Sequence, residues 1–109
     1  MYPEIRQRLQ LLSKVLRDCG EPNLAAEVED AISGSDHGLD VFLTSNQLWG
    51  GAGSIADQAG IWEGSRTEDR RKIEQALVQL GKDQIRAGKV NPRTAMWVSV
   101  FEKWEKAGI

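Results

Sequence analysis

Apolar residues in this chain return at steps of three and four, and no segment sustains a two-residue alternation. Ile5, Leu9, Leu12, Leu16 and Cys19 set the pattern near the N-terminus. An α-helix gathers such positions on one face, whereas a strand would split them between two. The period therefore directs the chain to an all-α fold, with no sheet expected. The first helix is expected over about Pro3 to Cys19. Pro3 suits a first turn, where its missing N–H costs nothing, and Gly20 supplies the stop.

The same reading continues along the chain. Asn23 is expected to cap a second helix after the breaker Pro22, with Leu24, Val28 and Ile32 on its inner side and Gly34 at its end. The short connection makes these two helices an antiparallel hairpin. "SGSDHGLD" reads as a loop, followed by a helix over about Leu39 to Gln47 with Leu39, Phe42 and Leu43 on one side. Gly50, Gly51 and Gly53 break that helix. Ser54 and Asp57 have the spacing of a capping box and open a short helix, Ile55 to Ala59, closed by Gly60.

After the loop "IWEGSR", Thr67 is expected to cap a long helix ended by Gly88. Ile73, Leu77, Leu80 and Ile85 mark its apolar side, and Glu68 and Asp69 lie in its positive first turn. Gly81 inside it costs up to ~1 kcal/mol against alanine and leaves room for close packing. Asn91 as cap and Pro92 as first residue start the last helix, which carries Trp97, Phe101 and Trp104 at core spacing. The expected architecture is an all-α, single-domain helical bundle over residues 1–109. It consists of four main helices plus a short helix after a glycine-rich turn.

Composition supports a globular chain: 40% of the 109 residues are hydrophobic and 28% charged. A domain of this length buries roughly two thirds of its unfolded surface, enough for one core and little for a deep, closed active site. The N-terminus "MYPEIRQRLQ" has no apolar run of the signal-peptide kind, and no stretch approaches the ~20 apolar residues of a membrane span. One cysteine makes no internal disulfide and fits a reducing compartment. A cytoplasmic location without membrane contact is expected.

"LWGGAGSIAD" is the segment with the strongest look of a motif. A phosphate-binding loop needs a lysine after its glycines, and a dinucleotide fingerprint needs a preceding strand. Neither is present, so the stretch is expected to be a tight turn with Trp49 packed beneath it. The alternative is an anion held by Gly53 and Ser54 at the helix start. His37, the one histidine, and Cys19 do not make up a metal ligand set, and Cys19 on an apolar stripe is expected to be buried rather than activated. No catalytic residues, no metal and no cofactor are expected. Trp97 and Trp104 belong to the core. Trp62, in "GIWEG", has no helical partner pattern and is the candidate exposed anchor.

Charge is distributed unevenly. Residues 21–40 hold six acids (Glu21, Glu27, Glu29, Asp30, Asp36, Asp40) and no Lys or Arg, while residues 64–94 hold eight bases against four acids. The chain as a whole carries −2, which argues against a general nucleic-acid binder. Ordinary solvated helix faces explain such runs. A bipolar surface that steers a charged protein partner explains them as well.

"FLTSNQLWGGAGSIAD" also resembles a motif of small bacterial helical proteins of uncharacterised function, in which an aromatic residue precedes Gly-Gly-x-Gly-Ser. Trp49, Gly50, Gly51, Ala52, Gly53, Ser54, Ile55, Ala56 and Asp57 carry it here, with Ala56 standing where Asn is usual. "LRDCGEPNLAAEVEDAI" is similar to that family's first hairpin and "IEQALVQLGKDQI" to its later helix. The resemblance implies an immunity-like protein of a bacterial toxin system. The expected function is thus a non-enzymatic binding module that caps a toxin or effector with a basic surface. Glu27, Asp30, Asp36, Asp40 and Trp62 would make the contact. The alternative is a small-molecule or anion-binding regulator at the Gly50–Ser54 turn, and a third reading is an antitoxin-type DNA binder using the basic helix after Thr67.

Overall fold

The structure, a computed structural model, describes residues 3–51, 53–58 and 67–108. Among them lie seven helices and no strand: α1 Pro3–Asp18, α2 Pro22–Ser33, α3 Asp36–Thr44, α4 Asn46–Trp49, α5 Ile55–Gln58, α6 Thr67–Ala87 and α7 Thr94–Ala107. The protein is an all-α, single-domain helical bundle. The count exceeds four main helices plus one short helix by two: the helical segments picked out along the sequence already number five plus the short one, and the segment expected as one helix over Leu39 to Gln47 is two. Ser45 takes extended backbone between α3 and α4, and its hydroxyl donates to the Phe42 carbonyl at 2.7 Å. That bond satisfies a carbonyl that a continuing helix would have used.

Other boundaries shift for local reasons. α3 starts three residues early, at Asp36, because the Ser35 hydroxyl accepts the Gly38 N–H at 3.0 Å. His37 therefore sits in a helical first turn, exposed, and not in a loop. α2 starts at Pro22 itself, with Glu21 as the cap residue in place of Asn23, since the fixed φ of proline already suits the first helical position. α7 starts at Thr94. Asn91 and Thr94 still form its entry: Asn91 N–H donates to Thr94 Oγ1 at 3.0 Å, and Thr94 N–H returns to the Asn91 carbonyl at 3.0 Å.

α1 lies at the centre, between α2 and α6, and α7 covers the far side of α6. Neighbouring helices run antiparallel. Arg6, at the start of α1, donates to the Ile32 carbonyl at the end of α2. Arg8 of α1 meets Asp83, near the end of α6, at 2.9 Å. The expected stripe Ile5, Leu9, Leu12 and Leu16 is buried, joined by Leu24, Val28, Leu39, Leu43, Leu48, Leu77 and Leu80. Each such side chain contributes roughly 1.5–3 kcal/mol on removal from water. Cys19 is half-buried against this core, with its thiol 3.8 Å from the Asp69 carbonyl, and burial pushes that thiol's pKa up.

Gly81 marks a close approach of α7 to α6. A Cβ there would collide with Val98 Cγ2 and press on the Trp49 ring at 3.3 Å. The missing side chain lets Val98 and Trp49 seat against the α6 backbone. Trp97, Phe101 and Trp104 line the inner side of α7, with ring centroids 5.4 Å and 5.8 Å apart in succession. Phe101 is buried, and the two tryptophans pack against the core while staying partly open.

Candidate partner-binding surface

The acidic run from Glu21 to Asp40 contains no base of its own, yet the fold brings bases to it. Arg6 of α1 donates to Asp36 at 2.7 Å. Arg17 of α1 grips Glu29, its Nε donating to Oε2 at 3.0 Å. Lys89, between α6 and α7, lies 3.7 Å from Asp40. The hydrogen bond from Arg17 holds the Glu29 carboxyl below the usual carboxylate range, and that from Arg6 does the same for Asp36. Asp40 is half-buried, with its second oxygen enclosed and unpaired.

The four acids singled out in the sequence are thus separated into two kinds. Asp36 and Asp40 are spent on internal pairs. Glu27 and Asp30 make no ion pair among the described residues. They lie one turn apart on α2, a helix with no Lys or Arg, and Asp30 is exposed. Nearby, burial raises the pKa of the half-buried Glu21 carboxyl. Trp62, the expected anchor, lies outside the described residues.

Part of the basic segment is spent in the same way. Arg70 sits by Glu74, Lys82 by Glu102 and Arg86 by Asp83, while Arg71 donates to the Gly108 carbonyl at 2.7 Å. Arg70, Lys82 and Arg86 are thereby set beside carboxylates of α6 and α7, while Arg71 holds a carbonyl.

The glycine turn is held by its own residues. Ser54 accepts the Asp57 N–H at 3.1 Å, and Asp57 Oδ2 accepts the Gly53 N–H at 3.0 Å, a variant of the capping box in which Asp reaches the N–H one residue before the cap. The buried Ser54 hydroxyl donates to the Gly50 carbonyl at 3.0 Å, which also accepts the Trp97 indole N–H at 3.2 Å. Gly53 has φ +88°, and the Arg93 guanidinium lies over Gly51 where a side chain would stand. The N–H and hydroxyl that an anion would use are already engaged, one of them by a carboxylate.

Trp49, at the entry to this turn, is fully buried, with its ring against Gly81 of α6. What the sequence reading missed is its partner. Gln84 Oε1 accepts the Trp49 indole N–H at 2.8 Å, and Gln84 Nε2 donates to the Leu43 carbonyl at 3.0 Å and the Lys89 carbonyl at 2.7 Å. Ile85, read as apolar-side, is 46% exposed. The signal was present: Ile73, Leu77, Leu80 and Gln84 keep the helical step, and a tryptophan without an obvious acceptor needed one. Asn91 plays a second bridging role, its Nδ2 donating to the Thr44 carbonyl at 3.1 Å and to Asn46 Oδ1 at 3.0 Å.

Among the described residues, no three of His, Cys, Asp and Glu come together as a metal site, and no helix is long and apolar enough to cross a membrane. No protein-family model matches the chain, and no match was found among curated proteins or solved structures.

Proposed function

We propose that this protein is a non-enzymatic protein-binding module, immunity-like in action, that caps a toxin or effector through the outer face of α2. The observation that carries this reading is the pair Glu27 and Asp30: two acids one turn apart, on a helix without a base, while their sequence neighbours Glu29, Asp36 and Asp40 are drawn into internal pairs. A chain that neutralises half of an acidic run internally leaves the rest as a localised negative contact. Such a contact fits a basic protein surface, as a toxin acting on nucleic acid would offer, and acts mainly on the rate of encounter.

The test is capture of a stoichiometric partner on immobilised protein, followed by stopped-flow association with that partner. Reversal of both Glu27 and Asp30 to lysine should slow association at least tenfold while leaving the helical signal intact, and raised salt should slow the unmodified protein as well, since screening sets in over ~8 Å at physiological ionic strength. An association rate indifferent to both the reversal and the salt overturns the reading.

A further inference from the structure

Glu74 lies in the middle of α6, and its side chain is only 5% exposed. Its Oε1 is buried and accepts no hydrogen bond. Arg70, one turn earlier, is the nearest cation, but its Nε stands 3.7 Å away, outside hydrogen-bonding range, and is itself buried and unpartnered. The narrow space beside Glu74 is bounded by Arg71, Gln75, Val78, Phe101 and Glu105 and has a volume of about 10 Å³. That is room for about one water. An ionised carboxylate here is poorly paired at its buried Oε1.

α7 makes the charged state worse. Glu105 borders the same space and is positioned by Gln75, whose Nε2 lies 3.4 Å from Glu105 Oε1. The exposed Glu105 thus sets a second carboxylate at the edge of the space beside Glu74. The charged groups facing Glu74 among the described residues are Arg70 and Arg71 from its own helix and Glu105 from α7. Burial pushes the Glu74 carboxyl above the usual range; Arg70 and Arg71 oppose this, and Glu105 adds to it.

We propose that Glu74 is a proton-operated latch: on acidification it takes up a proton, the poorly paired buried charge disappears, and α7 seats more tightly on α6. The step is simple protonation of the carboxylate by solvent, with no other bond made or broken. It needs no ligand and is independent of whether α2 binds a partner. The sign follows from the buried charge. A carboxyl protonated more readily in the fold than in the unfolded chain makes folding less favourable as pH rises through its folded pKa, and more favourable as pH falls back towards the ordinary value near ~4.3.

Three measurements on the full chain test this. Carboxyl-detected NMR should place the Glu74 midpoint above the ordinary glutamate value of ~4.3. As pH falls from neutrality towards the ordinary glutamate value of ~4.3, the unfolding midpoint of the unmodified protein should rise relative to that of Glu74→Gln, by roughly 5–10 °C for each tenfold shift in the folding equilibrium. The protection of α7 amides against exchange should rise over the same range in the unmodified protein and stay level in Glu74→Gln. Should Glu74→Gln fail to fold, Glu105→Gln serves instead, and it should lower the Glu74 midpoint. An ordinary Glu74 midpoint, parallel stability profiles, or a midpoint unmoved by Glu105→Gln would overturn the proposal.

Discussion

Trp49 donates its indole N–H to Gln84 across 2.8 Å, with both side chains fully buried, and the same glutamine amide ties down the Leu43 and Lys89 carbonyls. One polar side chain thus joins α4, the end of α3, and the turn after α6. Buried polar groups are costly unless satisfied, so this cluster stabilises the fold only as a whole. Gln84→Ala should destabilise by about 3 kcal/mol or more, because it strands the Trp49 N–H and leaves a cavity. Trp49→Phe should cost less than Gln84→Ala, and the double change Trp49→Phe with Gln84→Leu should cost clearly less than the two singles combined. Urea denaturation measures all of these. Strict additivity would mean the two residues are not coupled.

Gly81→Ala runs against helix propensity. In an ordinary exposed helix the change would add up to ~1 kcal/mol of stability. Here the new methyl meets Val98 Cγ2 and the Trp49 ring, so a loss of about 1–3 kcal/mol is expected. Val98→Ala in the same chain should recover part of it. A stabilised Gly81→Ala protein would show that α7 shifts freely on α6.

The glycine turn is expected to respond as scaffold. Gly53→Ala forces a side chain into φ +88° and should cost about 1 kcal/mol or more. Ser54→Ala removes the cap on Asp57 N–H and leaves the Gly50 carbonyl one donor short, a further loss of about 1–2 kcal/mol. Thermal melts quantify both, and partner affinity should fall no more than folding does. Affinity lost at full stability would make the turn a contact.

The outer ion pairs set an acid limit opposite in sign to Glu74. Glu29 and Asp36 have lowered pKa values in the fold, through hydrogen bonds from Arg17 and Arg6. Their contribution is present above the unfolded carboxylate values of roughly 4 and is lost as pH falls through the folded ones. Carboxyl-detected titration should therefore give low midpoints for both residues, moving towards ordinary values in ~1 M salt, where screening acts within a few ångström. Salt-insensitive midpoints would mean the pairs are not formed in solution.

The sequence by itself determined the elements whose causes lie within a turn or two of helix. The steps of Ile5, Leu9, Leu12 and Leu16 imposed α1, the Ser54–Asp57 spacing imposed the capping box, and Gly20 and Gly88, both with positive φ, imposed helix ends. Such effects need only neighbours three to five residues away. Even there Ser35 and Ser45 moved boundaries, because a hydroxyl caps whichever backbone group it reaches first. Only the tertiary structure decided which residues act as partners across the bundle. The helical step placed Gln84 on the buried face, but only packing gave it Trp49, 35 residues earlier, as its partner. The acidic run lost half its charge to Arg6, Arg17 and Lys89, and what remains on α2 is Glu27 and Asp30. Periodicity fixes the face a residue occupies, but a pair between distant residues forms only after two helices have packed in one register, and that register is a property of the whole core.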